Sequence, residues 1–365
     1  MTDKEYALWL STIDFNLGLK KINALLNIFG TAEAIYNSTP ETIEKTGILN
    51  KKLLDKYIEH KNLNKFKETL DYLHKQHINF TYYGSDDYPE KLLNIDNAPF
   101  GLYYLGNLPD SKKKCIAIVG ARNCSHEGKE IAKKLSKELV ENGIEIISGM
   151  ARGIDISAHR GALEVLNGKT YAVLGCSVDI CYPRENIAAY MDIQENGGII
   201  SELPPETQPL SRNFPIRNRI ISGLSDGVLV VQAGEKSGSI ITAGMALDQG
   251  KDLYVVPGSI MNPLYKGSNY LIKTGSIPVT GVSDILDGLN IIRDENVGDL
   301  KLKNSDNLPE THKMVYECLS LNPVHVSQIV GNTGLDYAMV MKALIYLELK
   351  GFVKDLGNKY YAVLL

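Results

Sequence analysis

The chain has 365 residues, of which 44% are hydrophobic and 22% charged. That length exceeds one typical domain, and the balance is that of a folded globular protein rather than a disordered one. A formal net charge of −4 excludes a broadly basic surface, so any polyanion site must be a local patch.

No apolar run reaches membrane-spanning length, so membrane insertion is not expected. The N-terminus MTDKEYALWL also lacks the basic-then-apolar order of a secretory leader. The five cysteines (Cys115, Cys124, Cys176, Cys181 and Cys318) are odd in number and contain no C-x-x-C pair. Reduced thiols in a cytoplasmic compartment are the simplest expectation.

Residues 1–75 read as a helical N-terminal region. Leu19, Ile22, Leu25, Leu26 and Phe29 recur at helical spacing, with Gly30 as the stop. Thr39 before Pro40 has the order of an N-cap and first helical residue. A longer amphipathic helix is expected from about Lys51 toward Gln76.

Residues 76–283 alternate apolar runs with helical patterns. The runs are CIAIVG (115–120), IEIISG (144–149), TYAVLG (170–175), GIISEL (198–203), GVLVVQA (227–233) and DLYVVPG (252–258). Nearly continuous Ile- and Val-rich runs are the mark of strands buried on both faces. Ile131, Leu135 and Leu139 follow the first run four apart, and Ile154, Ala158 and Ala162 follow the second. Strand, helix, strand at this spacing gives βαβ units, hence an α/β domain with a parallel, Rossmann-like sheet. Residues 284–309 are polar and charged and read as a linker. Residues 310–365 hold a helix, VSQIVGNTGL, a second helix and a hairpin with Gly357-Asn358 near its turn, which is the order of a winged helix.

Ligands of parallel sheets bind outside the carboxyl ends of the strands, and Gly120, Gly149, Gly175 and Gly234 gather there. Helix N-termini at such turns offer free N–H groups to anions, and Ser237-Gly238-Ser239 has the same character. A dinucleotide loop would need glycine where Gly120-Ala121-Arg122 places an arginine, and no P-loop occurs. No nucleotide cofactor is therefore expected, and with no His, Cys and carboxylate cluster at metal-ligand spacing no metal is expected either. Arg122, Arg152 and Lys236 follow strands, and Arg212, Arg217 and Arg219 precede GVLVVQA. Such a row suits the repeated phosphates of a polyanion. Arg217 and Arg219, two apart, cannot share a helix face, so only one should point into the site. Asp155 and His159 are four apart and can be drawn as an acid–base pair, but capping and burial explain them as well. No aromatic residue stands out in these loops as a base-stacking partner.

The wording of the loops is more specific. SGMARGIDISAHRGAL (148–163), GCSVDICYPREN (175–186), NFPIRNRIISGLS (213–225) and EKSGSIITAGMALDQGKDLYVVPGS (235–259) resemble the DNA-processing protein A (DprA/Smf) family. Over roughly residues 80–280 the match runs in order, and the flanking regions resemble its helix-hairpin-helix or SAM-like N-terminal module and winged helix. The N-terminal region lacks the G-x-G hairpin, keeping only Gly18.

The resemblance implies an extended Rossmann fold that binds single-stranded DNA without catalysis. It further implies homodimerisation through the later part of that domain and loading of the RecA recombinase, in natural transformation or recombination. The family's glycine-serine-arginine loop corresponds to Gly120-Ala121-Arg122, with alanine in place of serine. Its lysine-serine-glycine corresponds to Lys236-Ser237-Gly238, followed by Ser239. Its basic position ahead of Phe-Pro falls at or beside Arg212, next to Asn213. Gly149, Arg152 and Arg217 complete the expected interface.

The winged-helix region, residues 305–365, carries five lysines against six acids, a charge of −1, and its second helix has no arginine. That favours a partner or dimer surface over a DNA reader. The alternative is a phosphoribohydrolase-like enzyme on a similar core, which needs a catalytic glutamate after the second glycine of this loop, where AGEKSGSIITAG has none.

Overall fold

Apolar spacing near the N-terminus becomes six helices: α1 (Asp3–Ile13), α2 (Gly18–Phe29), α3 (Ala32–Asn37), α4 (Pro40–Lys45), α5 (Lys51–His60) and α6 (Leu63–Lys75). The structure, a computed structural model, describes residues 1–13, 17–291, 308–319, 324–355, 357 and 359–363. Gly30 closes α2 with its N–H on Leu26 O, and Thr39 caps α4 with Pro40 in the first turn. The single helix expected over 51–76 is instead two. Asn62 is the reason, since its side chain accepts the N–H groups of Asn64 and Lys65 and so opens a new helix.

Trp9 of α1 locks these helices together. It packs edge-on against Tyr36 at 4.8 Å and Tyr57 at 5.8 Å, and donates from Nε1 to His60 O. The same apolar core continues into the sheet through Tyr103, Leu105 and Ile199. Residues 1–290 accordingly form one compact unit, and residues 291–365 a second.

The expected strands all form. In chain order the sheet region is β1 (Asn79–Tyr82), β2 (Gly101–Gly106), β3 (Cys115–Val119), α7 (His126–Glu141), β4 (Glu145–Ser148), α8 (Ile154–Leu163), β5 (Thr170–Val173), α9 (Ile187–Glu195) and β6 (Gly197–Ser201). It continues with α10 (Asn213–Leu224), β7 (Gly227–Val230), α11 (Gly238–Asp248), β8 (Asp252–Val255), α12 (Lys266–Lys273), β9 (Ile277–Pro278) and α13 (Val282–Gly288). The sheet order is β1-β2-β6-β5-β4-β3-β7-β8-β9. Strands β3 to β9 are parallel, while β1 and β2 add an antiparallel edge through β6. From β3 the chain steps outward to β6, then returns to lay β7 on the other side of β3. That reversal is the topological switch point of a doubly wound sheet.

Helix α13 crosses the boundary expected at residue 284. Ile285 and Leu286 are buried, and this apolar pair extends the first unit among otherwise polar neighbours. The remainder of the expected linker up to residue 307, from 292 onward, lies outside the described residues.

The second unit holds α14 (Glu310–Glu317), β10 (Val324–His325), α15 (Val326–Thr333), α16 (Tyr337–Leu349), β11 (Val353–Asp355) and β12 (Tyr360–Val363). Its small sheet has the order β10-β12-β11, as a winged helix requires. Val326, Ile329, Val340, Leu344, Leu347 and Val353 form its core. Asn358, expected at the hairpin turn, lies outside the described residues.

Candidate nucleic-acid interface

The crossover helices diverge where β3 and β7 lie side by side, leaving a crevice beyond their carboxyl ends. A cleft of about 570 Å³ occupies this place. Gly120, Ala121 and Arg122 line it from the loop after β3, and Lys236, Ser237, Gly238 and Ser239 from the loop after β7. The two loops are tied by Gln232. Its carbonyl accepts Ala121 N–H at 2.7 Å, and its side chain accepts Ser125 N–H at 2.7 Å and donates to Ser125 Oγ at 3.0 Å. Ser125 also caps α7, so one buried glutamine sets the position of Arg122 against the second loop. Ser237 caps α11 by accepting Ser239 N–H, which aims that helix N-terminus and its positive dipole end into the cleft.

Aromatic rings supply a floor. Phe214 and Tyr182 line the cleft with ring centroids 5.6 Å apart, and the Arg122 guanidinium lies 5.4 Å from the Phe214 centroid. Gly175 makes room for this, since a Cβ there would stand 2.7 Å from Phe214 Cδ1. Sequence reasoning missed both rings. The signal was their place in CYPREN and NFPIRNR, a loop and the start of α10 that the fold brings together because β5 and α10 are neighbours.

The cations divide. Arg217 lines the cleft from a buried position, where Nη1 donates to Gly149 O at 3.0 Å and to Val173 O, joining the exits of β4 and β5. Burial pulls its pKa down to about 10, so it keeps its charge at neutral pH. Arg219 turns the other way and grips Glu202 through both nitrogens, as the two-residue spacing requires. Arg152 is exposed and donates twice to Glu185 outside the cleft lining. Arg212 is exposed just ahead of α10, also outside the lining, and Asn213 is buried in the first turn. Gly149 is buried and enters through its backbone carbonyl.

Asp155 and His159 do not form a pair. His159 is fully buried, and its Nδ1 lies 2.7 Å from Thr170 Oγ1, which itself donates to Ile146 O. The proton therefore sits on Nδ1, and Nε2 is left without a partner. Burial, then the Arg217 charge, pulls its pKa down to about 3, so the ring is neutral. Burial pushes the Asp155 carboxyl up to about 6 against the opposing pull of Arg217, of Arg122 and of the Ala151 and Gly149 N–H groups. Among the described residues no cluster of His, Cys, Asp and Glu could hold a metal ion. Among the described residues no helix is long and apolar enough to cross a membrane.

The doubly wound sheet, the cleft at its switch point and the small winged unit define a Rossmann-like protein joined to a winged helix. More narrowly, the chain belongs to the DNA recombination-mediator protein A family, which residues 79–290 match, while residues 302–359 match the DprA winged helix domain. It is 37% identical to Protein Smf of Escherichia coli K12 over 283 residues, covering 76% of this chain and 75% of that protein. Against Protein Smf of Synechocystis it is 31% identical over 99% of both chains. The solved structure of DNA processing protein A from Streptococcus pneumoniae superposes with a TM-score of 0.67 at 34% identity, covering 79% of this chain and 98% of that one. The Helicobacter pylori protein, described for its single-stranded DNA binding mode, superposes with a TM-score of 0.52 at 31% identity, covering 59% and 97%.

Proposed function

We propose that the chain is a recombination mediator that binds single-stranded DNA in the cleft between β3 and β7 and loads the RecA recombinase onto it. The observation that carries the reading is the pairing of Arg122 and Lys236 with the Phe214 and Tyr182 rings around one open cleft. Phosphates need cations and N–H groups, and unpaired bases need flat rings; single strands present both along one path. Gly120, Ala121, Arg122, Lys236, Ser237, Gly238 and Ser239 are the proposed phosphate contacts, with Arg217 and Gly149 supporting them. Arg152, Arg212 and Asn213 would act at the rim.

The protein works without catalysis on this reading, protecting strands in the cytoplasm during natural transformation or recombination. RecA loading rests on the family rather than on a surface identified in this chain. A homodimer through the later part of the sheet domain has support in exposed apolar side chains on adjoining elements there. Leu247 of α11, Ile260, Met261 and Tyr270 are 56%, 86%, 85% and 63% exposed.

The test is a gel-shift salt titration on single- and double-stranded DNA with the wild type, Arg122→Ala and Lys236→Ala. The reading expects single strands to bind better than duplex, with affinity falling steeply as salt rises. Equal affinity for duplex, or unchanged binding by both variants, would sink it.

A further inference from the structure

Asp155 is a carboxylate in the wall of a cleft whose other charged lining side chains are Arg122, Arg217 and Lys236. It lies in the first turn of α8, is 6% exposed and borders the same void as Arg122, Arg217 and Lys236. Arg217 faces it from α10, Arg122 and Cys124 face it from the loop after β3, and the Ala151 and Gly149 N–H groups favour its charged form. Gly149 stands between the acid and Arg217. A Cβ there would meet Asp155 Oδ2 at 2.7 Å and Arg217 Nη2 at 2.8 Å, so the attraction acts across a gap.

The neighbouring N–H groups alone do not account for an acid. Asparagine or serine oxygens can also face backbone N–H groups. What aspartate adds is a negative charge beside an anion site, which lowers affinity for any anion. The loss depends on ligand charge. An internal phosphodiester carries one negative charge, whereas a terminal phosphate carries close to two above pH 7.

We propose that Asp155 is a specificity-determining residue that holds down the cleft's affinity for doubly charged terminal phosphates, leaving internal phosphodiesters of a strand able to compete. The inference rests on the reading of the cleft as a phosphodiester site. Its consequence is proton linkage: a phosphodiester entering beside the acid raises the acid's pKa further above 6, so binding takes up a proton. His159, bonded to Thr170 and neutral, takes no part.

The experiment uses the full chain and its Asp155→Asn variant, with fluorescent 5′-hydroxyl oligo-dT as the reporter strand. Thymidine 5′-monophosphate and its methyl ester compete at pH 8, one a dianion and the other a monoanion. Removing a unit charge at this range should strengthen binding by roughly tenfold per ligand charge, so the variant should shift the competition ratio toward the monophosphate by about tenfold. A second arm needs no substitution. Wild-type affinity for the reporter, whose phosphodiesters and thymines do not titrate here, should rise as pH falls from 8 to 5.5 with an inflection near 6. In the Asn variant that inflection should vanish. A ratio shift below twofold, or a wild-type profile without the inflection, overturns the role of Asp155. Failure of the wild type to bind the reporter at any pH would instead remove the single-strand reading itself. Should Asp155→Asn not fold, the wild-type profile alone decides.

Discussion

Phe214 lies against Arg122, whose guanidinium carbon is 5.4 Å from the centre of the ring. One side chain can stack on a base and the other can neutralise a phosphate, so the two should fail differently. Phe214→Ala is expected to cost about 1–3 kcal/mol in single-strand affinity with the salt slope nearly unchanged. Arg122→Ala should instead flatten the slope of log affinity against log salt by about 0.7, one single-strand phosphate contact. Salt titrations of both variants separate the roles. A slope change in Phe214→Ala as large as that in Arg122→Ala would show that the ring merely positions the arginine.

Gly175 is the reason the ring fits. A methyl group there would stand 2.7 Å from Phe214 Cδ1, so Gly175→Ala must displace the ring or the exit of β5. Overpacking of this kind costs typically 1–3 kcal/mol of stability. We expect a lowered urea midpoint together with weaker strand binding, and a restored midpoint when Phe214→Leu is combined with it, although binding stays weak because the stacking ring is gone. A midpoint that stays low in the double variant would place the damage in the backbone rather than the ring.

The basic row splits by contact. Arg152 is committed to Glu185 on the surface, and Arg212 lies outside the cleft lining. Exposed ion pairs contribute little, and rim cations are partly screened. Arg152→Ala and Arg212→Ala should therefore each weaken single-strand binding less than Arg122→Ala does under the same salt. An Arg152→Ala loss matching that of Arg122→Ala would move the strand's path toward α9.

The fold was largely legible because the central strands are buried apolar runs, several of them closed by glycine, as in Cys115–Gly120 and Thr170–Gly175. The break at Asn62 was not, because a capping asparagine inside an amphipathic pattern changes the backbone without disturbing the apolar spacing. The edge strands β1 and β2 escaped notice because they pair antiparallel, outside the βαβ rhythm. At the cleft, Arg122 and Lys236 were readable from position after a strand. Phe214, Tyr182 and Gln232 were not, since their meaning comes from neighbours 32 to 107 residues away in sequence, as with Gln232 and Ser125 at the upper end. Arg217 and Arg219 show the limit from the other direction: helical geometry predicted opposite faces, but only the structure shows which face looks toward the cleft.

Asp155 and His159 give opposite pH dependences of stability, and single substitutions should separate them. His159 has a folded pKa of about 3 against an unfolded value of 6.5, so below pH 6.5 the unfolded chain holds the extra proton. Its contribution is complete above pH 6.5 and is lost as pH falls toward 3, with a slope of about 1.4 kcal/mol per pH unit for one proton. Asp155 has a folded pKa raised to about 6 from 3.8, so the folded chain holds the extra proton between these values. It destabilises the fold above pH 6, and that cost is relieved as pH falls from 6 toward 3.8. In the wild type the two slopes oppose each other between pH 6 and 3.8. Asp155→Asn should thus be more stable than the wild type at pH 7 and lose that advantage by pH 4. His159→Gln should be less stable than the wild type at pH 7 and recover against it over the same interval. Urea midpoints of the three proteins from pH 4 to 7 measure both differences, and the carboxylates they share cancel in the comparison. Parallel pH profiles for all three proteins would mean that neither group changes its proton affinity on folding.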